Sequence, residues 1–222
     1  MAVIGRRKNL LDDVVEEMVK TGAEAMAVGC DITRDREVRR AVAEVEQSFG
    51  GLHVLVNNAG ALSVSTVETI SEDEWDRVME TNLKGPFLFS RAVLPVFRRA
   101  GGGAIVNIAS VLGLVAMKDR AAYCASKGGI VLLTKAMALD HAEDHVRVNC
   151  ICPAIVETEL VQGLFGKSEE GQKAKEARIA TLPLGRFGKP EDISDLAVFL
   201  ASDESSWMTG TAIPVDGGLT AY

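Results

Sequence analysis

The stretch Ala104-Ile-Val-Asn-Ile-Ala-Ser110, followed after a loop by Tyr123-Cys-Ala-Ser-Lys127, decides how the chain is read. Ala104 to Ala109 is an apolar run of strand character, and Tyr123 to about His141 has helical character, so the unit is strand, loop, helix. Residues four apart on a helix share one face, which sets Lys127 beside Tyr123. An ammonium there favours the phenolate. Tyr123 is therefore expected to titrate well below its reference of about 10 and to exchange a proton near neutrality. Ser110, at the strand end, is expected to hydrogen-bond the oxygen being protonated. A lone Tyr-x-x-x-Lys pair also fits an amphipathic helix with a snorkelling lysine; the strand ending in Ser110 favours proton transfer between carbonyl and alcohol.

Outward from this unit, apolar runs alternate with helical patterns along almost the whole chain, the mark of a parallel sheet covered on both faces. Strands are expected at Met1 to Ile4, Ala25 to Val28, Val54 to Val56, Ile105 to Ile108, Val146 to Ile151 and Ala212 to Val215. Between them lie apolar stripes at helical spacing: Leu10, Leu11, Val14, Val15, Met18 and Val19, and then Val38, Val42, Val45 and Phe49. Ser71-Glu-Asp-Glu74 is a capping box opening a long helical region to about Phe97, with a kink expected at Pro86. Pro190 suits the first turn of a helix ending near Ala201. Residues 160 to 184 are charged and irregular, either a lid over the strand ends or a solvated helical insert.

Composition bounds the function classes. With 222 residues, 47% of them hydrophobic, the chain has room for one sizeable core, and a single domain over 1–222 is expected. A formal net charge of -7 argues against nucleic acid or an anionic membrane as partner. There is no apolar run of membrane-spanning length and no signal-peptide pattern, so a cytoplasmic protein is expected. Cys30, Cys124, Cys150 and Cys152 show no paired metal-ligand spacing and are expected as buried reduced thiols. His53, His141 and His145 are scattered and suit surface or capping roles.

With Asn57-Asn-Ala-Gly60 after a strand, Asn82 inside Thr81-Asn-Leu-Lys-Gly85, the Ser110, Tyr123, Lys127 set, and Arg147-Val-Asn-Cys-Ile-Cys-Pro153 leading to Thr158, the chain resembles the short-chain dehydrogenases/reductases from residue 1 to 222. The resemblance implies an α/β, Rossmann-like, doubly wound parallel sheet. It also implies an NAD(P)-dependent oxidoreductase interconverting an alcohol and a ketone or aldehyde. Tyr123 would be the general acid/base; Lys127 would lower its pKa and hold the nicotinamide ribose. Ser110 would orient the substrate oxygen, and Asn82 would anchor a water through a helix distortion. Asp31 and Ile32 would meet the adenine, Asn58, Ala59 and Gly60 the adenosine side, and Pro153, Val156 and Thr158 the carboxamide and pyrophosphate. Ala154 stands where the family usually has Gly. A homodimer or homotetramer acting on a small-molecule alcohol or carbonyl is implied as well.

The first strand ends in Gly5, followed by Arg6-Arg7-Lys8, where NAD-dependent members usually carry a carboxylate for the adenosine 2'-hydroxyl. A guanidinium attracts a 2'-phosphate, so Arg6 points to NADP(H) over NAD(H). Val111, Leu112, Leu114, Met117 and Arg120 suit either a pocket for an apolar alcohol or ketone with a polar end, or plain loop packing.

Relative to the family, the N-terminal βα unit is missing: the 222 residues contain no Thr-Gly-x-x-x-Gly-x-Gly turn, whose backbone N–H groups hold the pyrophosphate. The family's first strand lies mid-sheet, so the strands at 1–4 and 25–28 are expected to lack a partner linking them to the strand at 54–56. Three readings follow: an enzyme whose chain begins further upstream, a short form with weak or no cofactor binding acting as a binding or regulatory subunit, and a scaffold reused for nicotinamide-independent proton transfer.

Overall fold

The computed structural model describes residues 1–158, 161, 163, 165–166 and 168–221. Strands β1 (Ala2–Gly5), β2 (Met26–Gly29), β3 (Val54–Asn57), β4 (Gly103–Ile108), β5 (Val146–Pro153) and β6 (Ala212–Val215) all pair in parallel. Helices α1 (Lys8–Lys20), α2 (Asp35–Phe49), α3 (Glu72–Met79), α4 (Gly85–Ala100), α5 (Ala121–Asp140), α6 (Glu169–Ile179) and α7 (Pro190–Ala201) connect them. This is the expected Rossmann-like α/β architecture in a single domain. Part of the segment expected to be irregular is helical: α6 begins at Ser168, whose hydroxyl accepts from Gly171 N at 3.1 Å.

The strands fall into two hydrogen-bonded groups, β1-β2 and β3-β4-β5-β6. The partnerless boundary expected beside 54–56 is therefore present: β1 pairs with β2, and β3 with β4 on one side. Val54 and Val56 of β3 are 39% and 45% exposed, whereas Ile105, Val106, Val148 and Ile151 of the neighbouring strands are buried. Helix α1 contributes no fully buried residue, while α2 buries Val38, Ala41, Val42 and Val45, one stripe at helical spacing, against the core.

The long region after Ser71 is not one regular helix. Ser71 Oγ accepts from Glu74 N at 3.2 Å and opens α3. The ladder then widens into a π-helical turn over Glu80–Lys84 before α4 begins. Pro86 has no N–H to give the carbonyl of Asn82 four residues earlier, so the distortion expected at Pro86 is realised one turn before it.

A buried polar chain crosses the sheet. Asn57 Nδ2 donates to Asn107 Oδ1 at 2.8 Å, and Asn107 Nδ2 donates to Thr134 Oγ1 at 2.8 Å, tying β3, β4 and α5 together. Sequence reasoning places these residues in apolar runs and gives no sign of the pairing. At the other end of the molecule, the Arg147 guanidinium on β5 donates to Leu200 O, Ser202 O and Ser205 Oγ, satisfying carbonyls at the end of α7. Cys30, Cys150 and Cys152 are buried, Cys124 is half-buried, and all four are free thiols.

Replacing Asn107 by Ala leaves the buried Asn57 amide with only its longer bond to Ser90 Oγ at 3.4 Å and removes the donor to the buried Thr134 hydroxyl. Chemical denaturation of Asn107→Ala is expected to show a loss of about 2–4 kcal/mol, larger than for a surface Asn→Ala change.

Candidate active site

Parallel strands deliver their C-terminal ends to one edge of the sheet, and the candidate residues gather there. Ser110 lies two residues past β4 in extended backbone and caps the short 3-10 turn Val111–Gly113, its Oγ accepting from Leu112 N at 3.1 Å. The same hydroxyl donates to Pro153 O at the end of β5 at 3.5 Å. A Cβ at Gly113 would stand 2.6 Å from Lys127 O, so glycine is what lets the turn after Ser110 lie directly on the backbone of α5.

Tyr123 and Lys127 share a face of α5 as their spacing requires, with Lys127 Nζ 5.7 Å from the Tyr123 ring centroid. The expectation for the Tyr123 pKa is corrected. Burial pushes the phenol above its ordinary 10.0, and the hydrogen bond with Ser110 offsets this only in part. Lys127 does not counter this: the residue is 4% exposed and its ammonium donates to Ile108 O at 2.8 Å. Burial in turn depresses the Lys127 pKa from 10.5 to about 8.

Asn82 is 1% exposed and sits inside the π turn. Its Oδ1 accepts from Ala61 N at 2.6 Å, while Nδ2 donates to Ala61 O at 2.9 Å and to Ser126 Oγ at 3.0 Å. The helix distortion expected at Asn82 is present, and its side chain grips the loop after β3. Gly60 lies within that loop, and a Cβ there would be 3.7 Å from both Asn82 Oδ1 and Lys127 Nζ. Glycine thus keeps the approach to the lysine clear.

The residues expected to meet a nucleotide form a second group. Asp31, just past β2, accepts from Thr33 N at 3.0 Å and Thr33 Oγ1 at 2.8 Å and lies 3.4 Å from Arg34 Nε. Burial raises its pKa, but the Thr33 bonds and the charges of Arg34 and Arg6 more than offset this, so the carboxylate is held below its ordinary value. Arg6, just past β1, is near enough for its charge to act on Asp31. Ile32 packs on Gly85 at the start of α4, where a Cβ would come within 2.8 Å of its Cδ1. Asn58, Ala59 and Gly60 are exposed, Pro153 is buried, Val156 bridges to Gly188, and Thr158 is exposed.

Of the loop after Ser110, Val111 is buried, Leu112 half-buried and Leu114 exposed. Met117 accepts a hydrogen bond at its sulfur from Arg178 of α6 at 3.3 Å, so α6 reaches this loop. No cluster of three or more metal-ligating side chains occurs among the described residues. Sequence reasoning missed the parts played by Ala61 and Ser126, although Ser126 stands inside the quoted Tyr123–Lys127 motif.

These elements and this constellation coincide with a family match over residues 1–220, to the family model described as Enoyl-(Acyl carrier protein) reductase. The 2-(S)-hydroxypropyl-CoM dehydrogenase 3 of Xanthobacter autotrophicus is 41% identical over 222 residues, 100% of this chain and 87% of that protein. The 3-oxoacyl-(acyl-carrier-protein) reductase of Thermotoga maritima is 37% identical over 212 residues, 96% of this chain and 84% of that protein. A crystal structure of a short-chain type dehydrogenase/reductase from Mycobacterium marinum superimposes with a TM-score of 0.92 at 35% identity, covering 100% of this chain and 85% of that one. The chain belongs to the short-chain dehydrogenase/reductase family, oxidoreductases that act on CH–OH groups with NAD(H) or NADP(H).

The Lys127 shift has a sign that can be measured. A folded-state pKa near 8 against an unfolded value near 10.5 means that protonation favours the unfolded chain, so the buried ammonium costs stability below pH 8 and the cost fades as pH rises towards 10.5. Lys127→Met is expected to be more stable than the parent by about 1–3 kcal/mol at pH 7. The gap should close between pH 8 and 10.5 in thermal unfolding followed by circular dichroism.

Proposed function

We propose that this chain is an alcohol dehydrogenase or carbonyl reductase that uses NADP(H) in preference to NAD(H), with Ser110, Tyr123 and Lys127 at its reaction centre. The observation that carries the reading is the convergence of Ser110 from β4 with Tyr123 and Lys127 from α5 in one buried place at the strand ends.

The nicotinamide half of the cofactor fits what is present: Gly60 leaves the Lys127 ammonium approachable, and Asn58 to Gly60 offer exposed backbone. The adenosine half fits Arg6 and Asp31 at the ends of β1 and β2. The pyrophosphate has no glycine turn among the 222 residues. When bound, the cofactor supplies hydride exchange with the substrate carbon.

The protein's own residues handle the proton. In carbonyl reduction, the Tyr123 phenol donates its proton to the substrate oxygen, and in alcohol oxidation the phenolate takes it back. The Ser110 hydroxyl, close enough to that phenol to lower its pKa, is placed to hold the substrate oxygen beside it. A phenol raised by burial is fully protonated at neutral pH, the form needed for reduction. Oxidation needs a positive charge near it, and Lys127 supplies one if its ammonium turns from Ile108 O towards the phenolate. Asn82 holds Ala61 and thereby the loop that faces Lys127.

Arg6 supports the NADP(H) preference, because Arg34 is shared by the Asp31 and Glu37 carboxylates while the Arg6 guanidinium adds a further positive charge that would attract a 2'-phosphate. Exposed Phe87 and Leu132 on α4 and α5 support self-association as a homodimer or homotetramer. We also read the open boundary between β1 and β3 as the position of a strand that these 222 residues do not supply. That boundary favours a second reading, in which the chain binds nucleotide weakly and serves as a binding or regulatory subunit.

Titrating the protein with NADPH by nucleotide fluorescence, alongside turnover of a panel of secondary alcohols, separates the two. Submillimolar binding with turnover is the expected result, and no binding by a folded protein leaves the subunit reading. Tyr123→Phe is expected to lower kcat by about 10³-fold or more with nucleotide binding retained. Arg6→Asp is expected to lower the NADPH/NADH ratio of kcat/KM by about tenfold or more, and an unchanged ratio removes the assignment of Arg6.

A further inference from the structure

Ser126 has no part in the reading above, yet it is one of the most completely enclosed polar groups of the molecule. Its exposure is 0%, between Tyr123 and Lys127 in sequence but turned away from both side chains' work. Its hydroxyl donates to Tyr123 O at 2.8 Å, the back-bond to the preceding turn that buried helical serines make. That leaves its oxygen as an acceptor, and the Asn82 Nδ2 group fills it at 3.0 Å.

The consequence lies in how the Asn82 carboxamide is used. Its oxygen and both amide protons are engaged: Oδ1 takes the Ala61 N–H, one Nδ2 proton goes to Ala61 O, and the other goes to Ser126. A carboxamide is nearly symmetric in shape, and two bonds to one residue's backbone do not by themselves keep it from twisting. Ala61 N–H and C=O set which end is nitrogen, and Ser126 offers an acceptor on the third side that takes the remaining Nδ2 proton and holds the plane of the carboxamide. A flipped carboxamide would set oxygen against Ala61 O and nitrogen against Ala61 N. With the amide locked, Ala61 is clamped from both its N–H and its C=O, and the adjacent Gly60 is held next to the Lys127 ammonium.

We propose that Ser126 is a positioning residue: through Asn82 and Ala61 it fixes the Asn58–Gly60 turn against the helix that carries Tyr123 and Lys127. The turn and the helix belong to different βα units, and the clamp makes their separation a property of hydrogen bonds rather than of loose packing. This rests on the reading of the reaction centre above, so its test carries one arm that needs no activity.

That arm is hydrogen exchange at the Ala61 amide, read by NMR. In the parent the amide is protected by Asn82 Oδ1; in Ser126→Ala its exchange is expected to accelerate about tenfold or more while β4 and β5 amides keep their rates. Ser126→Thr, which keeps the hydroxyl, is expected to restore protection. Should Ser126→Ala not fold, Ser126→Cys offers a weak thiol of similar size and carries the same measurement. In the activity arm, Ser126→Ala is expected to lower kcat about tenfold with KM for the alcohol within about twofold, and this loss should vanish in an Asn82→Ala background. Unchanged Ala61 exchange, or an equal kcat loss with and without Asn82, overturns the proposal. A parent without turnover defeats the functional reading alone, and the exchange arm still decides the clamp.

Discussion

Parallel pairing of β3, β4 and β5 in fixed register is the constraint from which the rest of the site follows. Because every strand runs the same way, each strand end delivers its next residues to one edge, so Asn57, Ser110 and Pro153 reach a common place from widely separated parts of the chain. Register adds precision to direction. Asn57 stands beside Asn107 on β4, which makes their side-chain hydrogen bond possible, and Asn107 in turn reaches Thr134 on α5. The helix bearing Tyr123 and Lys127 is therefore tied to the sheet by a polar contact with one geometry, where apolar packing alone would allow small slides.

The edge so formed buries polar and charged groups such as Ser110 and Lys127, and this governs its electrostatics. Lys127 is almost fully enclosed, with Ile108 O as its hydrogen-bond acceptor and no carboxylate ion pair among the described residues. Desolvation then works on both members of the pair: it lowers the lysine and raises the tyrosine, moving their titration ranges apart, with the lysine now titrating below the tyrosine. Such a site holds its charges at the expense of stability, which is a common cost of chemistry in buried places.

The boundary between β1 and β3 is where the fold is least self-sufficient. Half-exposed valines on β3 and an α1 without a fully buried side chain mark a sheet whose two parts are not joined by backbone hydrogen bonds. Arg6 and Asp31 lie on one side of this boundary, and Ser110, Tyr123 and Lys127 on the other. Arg6 and Asp31, proposed for the adenosine end, and Ser110, Tyr123 and Lys127, proposed for proton transfer, therefore belong to separate hydrogen-bonded units, with Asn58 to Gly60 and Pro153 on the second.

Much of this was legible in the amino acids. The alternation of apolar runs and helical stripes specified the strands and helices within a few residues, because burial on both faces of a parallel sheet demands continuous apolar strands. Tyr123 and Lys127 had to share a face because helical geometry leaves no choice at that spacing. The widened turn at Asn82 was foreshadowed by Pro86, a proline without a proton to give. What the order of residues left open was set by contacts between distant segments. The direction of the Tyr123 shift depends on how deeply the phenol is buried, and the Lys127 ammonium is turned to Ile108 O. The Asn57, Asn107, Thr134 chain and the Ser126, Asn82, Ala61 clamp join residues from different βα units, and no local pattern announces a hydrogen bond between side chains brought together by folding. Sequence determined the elements and which residues each could present; tertiary structure decided which of those groups met, because burial and direction are properties of the assembled sheet.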